Sequence, residues 1–317
     1  MEIDINRKNG GFTLVELMIV IVILALLAGM IILGTRVAIK ASKESAIRLQ
    51  IEQLSMALDK YKNEIGEYPP DFTDPIAVMR HVKKRWPRSP YGTSYADWLT
   101  FCEQVRTVTK GNWDLSRYGG NGPTYALVFW LGGLPDETGK PSGFFLSPTD
   151  PLGIEPTTVD QREEPRFDFA PDTIVTKAYA PAFVPKKGDM PIVYFLANGD
   201  DENAYCYQFI DEDGENVVQT NIYYPKIAFL YEYSPTEVRI AVPYAKTIDD
   251  QDKTVWYEPN RFQLIHPGQD GIFTGWNPDR EIIRVVDIKQ GMTDEDDDNI
   301  VNFAEGATLD SEYKKSE

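Results

Sequence analysis

The sequence predicts an α+β protein: one long N-terminal helix packed on an antiparallel β-sheet head that carries a large irregular insertion. Three observations lead there. Between Phe12 and Thr35 the only charged residue is Glu16, in an otherwise almost wholly apolar run. A second helical stripe follows that run without a break. Beyond Pro70 the helical period fades, proline and glycine become frequent, and short runs of β-forming residues alternate with turns.

The first element is the apolar run. Phe12 to Leu33 is long enough to span a bilayer as a helix, which needs about 20 residues. A carboxylate inside such a segment costs about 2.5–3.5 kcal/mol at the bilayer centre and less toward an end. Glu16 is therefore a candidate functional residue that needs a cationic partner, and the apolar run offers none. A secretory signal has a 7–15-residue apolar core followed by its cut site. Here the core is longer, and the glycine pair Gly10-Gly11 precedes it. Basic residues flank the run on both sides (Arg7 and Lys8, then Arg36, Lys40 and Lys43), so charge does not set its orientation.

The second element continues the helix. Ile47, Ile51, Leu54, Leu58, Tyr61 and Ile65 recur at spacings of 4, 3, 4, 3 and 4, one face of an α-helix. Arg48, Gln50, Glu52, Gln53, Lys60, Lys62 and Glu64 fill the wet face, Gly66 follows the stripe, and Pro69-Pro70 ends the helix.

In the head, Ile76–Trp86 and Tyr95–Val108 read as short helices, the second with Trp98, Leu99, Phe101, Cys102 and Val105 on its apolar face. Residues 118–122 read as a glycine-rich loop. Tyr125–Leu134 is so uniformly apolar that its period does not separate buried helix from strand. Pro135–Asp172 reads as irregular. Strands are expected at 191–197, 204–211, 215–220, 223–231 and 238–242, with weaker candidates at 262–266 and 282–286; Asn198–Asp201 and Asp211–Gly214 are turns.

Gly11-Phe12-Thr13-Leu14-Val15-Glu16 resembles the class III signal of type IV prepilins and type II secretion pseudopilins, and Ala57-Leu58-Asp59-Lys60-Tyr61, closing on Gly66-Glu67-Tyr68-Pro69, is similar to the helix end of major pseudopilins. The resemblance implies a pilin-like plan: a leader over 1–11, a transmembrane and filament-core helix over 12–34, its amphipathic continuation over 35–68, and an extracytoplasmic head over 69–317. It implies that a prepilin peptidase cuts after Gly11 and methylates Phe12. Glu16 then pairs with the Phe12 ammonium of a neighbouring subunit as the chain docks, from an inner-membrane assembly platform, into a periplasmic pseudopilus that supports protein secretion. The alternative within the same plan is a minor type IV pilin with an adhesive or ligand-binding head.

A further likeness lies near the C-terminus. Gly268-Gln269-Asp270-Gly271 and the run from Asp294 to Phe303 resemble the loop in which major pseudopilins hold a structural calcium ion. Carried over by position, the ligands are Asp270, Asp297 and Asn299, with Asp298 substituting through a register shift. Two departures stand out: Asn299 replaces an aspartate, and Ile272–Thr293 separates the two halves.

Composition narrows the partners. A net charge of −17, with 49 acidic against 32 basic residues, argues against nucleic acid. Cys102 and Cys206 can pair outside the cytoplasm or stay as buried thiols, and with His81 and His266 they form no zinc pattern. His81 reads as a surface residue and His266 as a packing or turn residue. The chain has no G-x-S-x-G, P-loop, G-x-G-x-x-G or H-E-x-x-H motif, so no enzymatic activity is expected.

Overall fold

The computed structural model describes residues 13–116, 122–154, 161–177, 180–199, 204–205, 226, 228–229, 240–248, 254–273, 286–287, 296–304 and 308–310. The side chains of 30–34, 36–37, 177, 229, 248 and 286–287 lie outside that description. Two compact units divide the chain, Met1–Lys43 and Glu44–Glu317.

Helix α1 comprises Leu14–Ile65. In the first unit its large apolar side chains from Leu14 to Leu27 are all exposed. Among the described residues no helix is long and apolar enough to cross a membrane; the expected span, Phe12–Leu33, has Phe12 and the side chains of 30–33 outside the description. In the second unit the expected stripe is the core face: Ile47, Ile51, Leu54, Leu58 and Tyr61 are all fully buried, and Ile65 packs against the same core. Gly66 ends the helix with φ of 91° while its N–H still bonds the Lys62 carbonyl at 2.7 Å, the αL stop that a side chain would oppose.

Helix α2 is Pro75–Arg85. Asp74 caps it by accepting from the Ile76 and Ala77 N–H groups, and Pro75 takes the first position, where no N–H is needed. Helix α3, Tyr95–Val108, opens on a Ser94/Asp97 capping box. The undecided apolar run is helical: α4, Gly122–Leu127, passes into a π-helical turn, Val128–Gly132, until Gly133 stops it. Every residue of both is buried, so no polar face marks a period. Beyond it, the described residues 133–154 and 161–170 are irregular as expected, pinned by the bridges Gly133–Gly143, Pro135–Pro141 and Phe145–Arg162, and the stretch ends in a 3-10 turn at Pro171–Thr173.

Among the described residues ten short strands follow: β1 (Ile174–Lys177), β2 (Ala180–Phe183), β3 (Val193–Leu196), β4 (Ala228–Phe229), β5 (Ile240–Ala241), β6 (Tyr244–Ile248), β7 (Thr254–Trp256), β8 (Phe262–His266), β9 (Val286–Asp287) and β10 (Ile300–Val301). The central sheet has the order β10-β8-β3, antiparallel throughout. Its side chains alternate between two cores. Tyr194, Phe262, Leu264 and Ile300 join α1–α4 in the larger core, while Val193, Phe195, Ile265 and Val301 join β4–β7 in the smaller one.

The expectations at 191–197 and 262–266 match β3 and β8. Of those at 223–231 and 238–242, 223–225, 227, 230–231 and 238–239 lie outside the described residues; β4 and β5 fall within the two expected ranges. Ala204 and Tyr205 lie in a turn rather than a strand; 206–211 and 215–220 lie outside the described residues, as do 282–285 of the last candidate. The β1–β2 pair was not foreseen, because Ala180-Pro181-Ala182 has little β preference. β6, β7 and β10 were also missed. One pairing, β6 with β9, is parallel, a departure from an all-antiparallel head.

Candidate functional site

At the N-terminus, Gly11 and Phe12 lie outside the described residues. Glu16 is described, and its environment was not foreseen. Thr13 is the N-cap of α1 and Glu16 its third helical residue. The Glu16 Oε2 accepts from the Thr13 N–H at 2.8 Å and from the Thr13 hydroxyl at 2.9 Å, and the Thr13 Oγ1 accepts from the Glu16 N–H at 3.2 Å. This is a reciprocal capping box. The sequence signal was present in Thr13-Leu14-Val15-Glu16, a Thr-x-x-Glu ahead of an apolar run. The carboxylate thus has local donors before any partner arrives, and it sits where the helix dipole favours negative charge.

The other end of α1 is locked to the head. Tyr68 donates to Asp59 Oδ1 at 2.7 Å, and Arg261 bonds both Asp59 (2.8 Å) and the Tyr68 hydroxyl (3.3 Å). The carbonyls of Pro69 and Pro70 accept from the Tyr194 hydroxyl (2.7 Å) and the Trp130 indole (2.9 Å). Next to this strap, Asp71 is buried with Lys226, the two joined at 2.9 Å. Thr73, Leu196 N–H and the Leu196 carbonyl satisfy their remaining groups.

His81 is not the surface residue expected. It is 3% exposed, wedged against Tyr61 and Trp130. The Glu67 carboxylate only accepts, so His81 Nδ1–H donates to it (2.6 Å) and the Nε2 of the neutral ring accepts from the Tyr61 O–H (2.6 Å), whose oxygen accepts from Arg85 at 2.9 Å. Burial lowers the His81 pKa against the pull of Glu67. The hydrogen bond from His81 holds the Glu67 carboxyl down to about 2, and burial pushes Tyr61 up to about 12. Arg85 turns inward to Glu163, which also pairs with Arg166. The lone-looking histidine is the hinge pin of a polar network in the α1–α2 interface; the apolar residues on both its sides, Val78, Met79 and Val82, were the signal for its burial. Cys102 is a buried free thiol, and Cys206 lies outside the described residues.

At the C-terminal loop the insertion does not part the two halves. β8 and β10 pair, so the Gly268 turn lies beside Asp298: Gln269 N–H and Asp270 N–H reach Asp298 Oδ2 at 2.7 and 3.4 Å. A Cβ on Gly268 would strike that carboxylate. Asp270 accepts from the Ile272 N–H at 2.7 Å, and the Asp297 carbonyl accepts from the Asp310 N–H at 3.2 Å. Asn299 is fully buried and donates to the Tyr244 hydroxyl, which itself donates to the buried Asp296. Two buried oxygens, Asp298 Oδ1 and Asn299 Oδ1, have no hydrogen-bond partner. Among the described residues no three His, Cys, Asp or Glu side chains converge as a metal cluster. Asn302 extends the strand ladder with its side chain, accepting from Leu264 N–H at 2.7 Å and donating to the Phe262 carbonyl at 3.2 Å.

The N-terminal geometry has a counterpart among known proteins. Residues 6–32 match the family model described as the prokaryotic N-terminal methylation motif. The type II secretion system core protein G of Pseudomonas aeruginosa is 28% identical over 131 residues, 37% of this chain and 87% of the relative. Its Vibrio cholerae counterpart is 31% identical over 132 residues, 37% of this chain and 84% of the relative. That of Dickeya chrysanthemi is 31% identical over 137 residues, covering 81% of the relative. No solved structure matches. The class is therefore that of chains carrying a prepilin-type N-terminal helix. Within it, this chain belongs to the type II secretion system core protein G family, and its role is that of a structural pseudopilin.

Proposed function

We propose that this chain is cut after Gly11 by a prepilin peptidase, methylated on Phe12 and anchored in the bacterial inner membrane by its first helical segment. From the assembly platform it joins other copies in a periplasmic pseudopilus that supports protein secretion. The observation that carries this reading is the first part of α1: a row of exposed apolar side chains from Leu14 to Leu27, with one carboxylate held at its start by a capping box. Such a surface is stable only in lipid or against other helices. In the assembled state Glu16 faces the Phe12 ammonium of a neighbour, which a buried charge requires. The chain works by assembly rather than by catalysing a reaction.

The same reading includes a structural calcium ion at the C-terminal loop. The orphaned oxygens of Asp298 and Asn299 support it, with Asp270 and Asp297 as further ligands, since calcium takes hard oxygen donors. When bound it would fix the β8–β10 loop against the acidic run.

The test is mass spectrometry of the native N-terminal peptide together with Glu16→Ala. The expected results are an N-methylated Phe12 and a variant that still inserts but does not enter filaments. An intact Met1 terminus in cells that contain the peptidase, or normal incorporation of Glu16→Ala, would overturn the reading.

A further inference from the structure

Acidic residues are spread along this chain, and outside the apolar start of α1 their longest gap covers α2. None of the 49 Asp and Glu residues falls between Asp74 and Asp97, and that interval carries Arg80, Lys83, Lys84, Arg85 and Arg88. Most of this basic run has a local reason. Lys83, Lys84 and Arg85 occupy the last turn of α2, where the helix dipole favours cations. Lys83 also bonds the Ser89 carbonyl, Lys84 pairs with Glu67, and Arg85 is turned inward to Glu163. Arg80 has none of these reasons. It is exposed, in the middle of α2, and makes no ion pair among the described residues.

Arg80 lines a cleft of about 510 Å³ together with Lys62, Lys84, Arg261, His81 and Glu67. Lys62 comes from the last turn of α1 and lies over the Tyr68 ring, 4.3 Å from its centroid. Four cations therefore face one carboxylate. Lys84 and Arg261 are matched, by Glu67 and by Asp59 with Glu258. Lys62 and Arg80 hold no carboxylate among the described residues.

We propose that this cleft is the receiving half of a head-to-head contact and takes a carboxylate-rich segment of a second copy of this chain. The proposal rests on the pseudopilin reading. Copies with a net charge of −17 repel one another. An open polymer uses a heterologous interface, in which one patch meets a different patch of the next copy. With 49 acidic against 32 basic residues, a different patch is more often acidic than basic, so a concave site with two unmatched cations supplies the opposite sign. Contacts of this kind orient and register subunits as well as attract them.

The test uses the full-length chain in its native membrane, with Arg80→Glu and Lys62→Glu combined, and separately a photo-reactive residue in place of Ala77, which also lines the cleft. The expected result is a loss of filaments of about tenfold or more with Phe12 methylation and head melting unchanged, and a milder loss for Arg80→Gln that added salt reproduces in the wild type. The Ala77 probe is expected to cross-link two copies and to map to an acidic peptide. Normal filaments from the charge-reversed chain, or a cross-link to another protein or to an apolar peptide, would overturn the proposal. Failure of the underlying reading is distinct: there, the wild type itself would show an unmethylated terminus and no filaments.

Discussion

Lowering the pH from 6.5 to 5 is expected to destabilise the head by about 2 kcal/mol through His266 alone. His266 lies in β8, fully buried. Neither ring nitrogen makes a hydrogen bond of proper geometry, although the Met190 backbone is close enough to offset part of the cost of burial. Burial pushes its pKa down to about 3 from an ordinary 6.5. A base with a depressed folded pKa contributes stability that is complete above 6.5 and is lost as pH falls toward 3. In between, the unfolded chain binds a proton that the fold refuses, so the slope approaches about 1.4 kcal/mol per pH unit. Glu67 does not interfere: held down to about 2, it loses its contribution only below its ordinary value of 4.5. The chain has two histidines, and burial shifts His81 in the same direction. The assay is therefore chemical denaturation of the full-length protein in detergent between pH 7 and 5, wild type against His266→Leu. The variant should lose about 1 kcal/mol per pH unit from its slope and keep the share of His81. Equal slopes in the two proteins would refute the argument that His266 is neutral and unpartnered in the fold.

Three further outcomes are expected. Lys226→Met leaves the Asp71 carboxylate buried without its cation and should cost about 3–5 kcal/mol, read as a lower denaturation midpoint; adding Asp71→Asn should recover part of that loss, and a strictly additive double variant would count against the pair. Gly66→Ala forces a side chain to φ of 91° and should cost about 1–2 kcal/mol in the same assay, whereas an unchanged midpoint would mean that the helix end can rearrange. Chelation of calcium should lower the melting temperature of the wild type and leave that of Asp298→Ala almost unmoved; equal responses would remove Asp298 from the proposed ligands.

What could be read from the sequence was whatever a local period or a fixed turn residue enforces. The α1 stripe, the Gly66 stop, α2, α3, β3 and β8 all follow from such signals. The Val128–Gly132 turn did not, because a segment buried on every side has no polar face to mark its period. β1 and β2 gained their pairing from tertiary contacts that Ala180-Pro181-Ala182 does not announce. The N-terminal site was half legible: Glu16 stood out as a charge in an apolar run, yet its capping box with Thr13 was written in the same residues and went unread. At the C-terminal loop the motif named the right segment, but only the β8–β10 pairing brings Asp298 against the Gly268 turn across the inserted residues.

The strap at the end of α1 also has a mechanical meaning. Asp59 and Tyr68 are gripped by Arg261, Pro69 by Tyr194 and Pro70 by Trp130, all within twelve residues of one another along α1 and its exit. The proline rings fix φ at about −65°, so the exit from α1 has little backbone freedom of its own. A displacement of this end of α1 therefore meets the central sheet through several short bonds that share the load. Within the second unit, the end of α1 and the central sheet are thus tied into one piece.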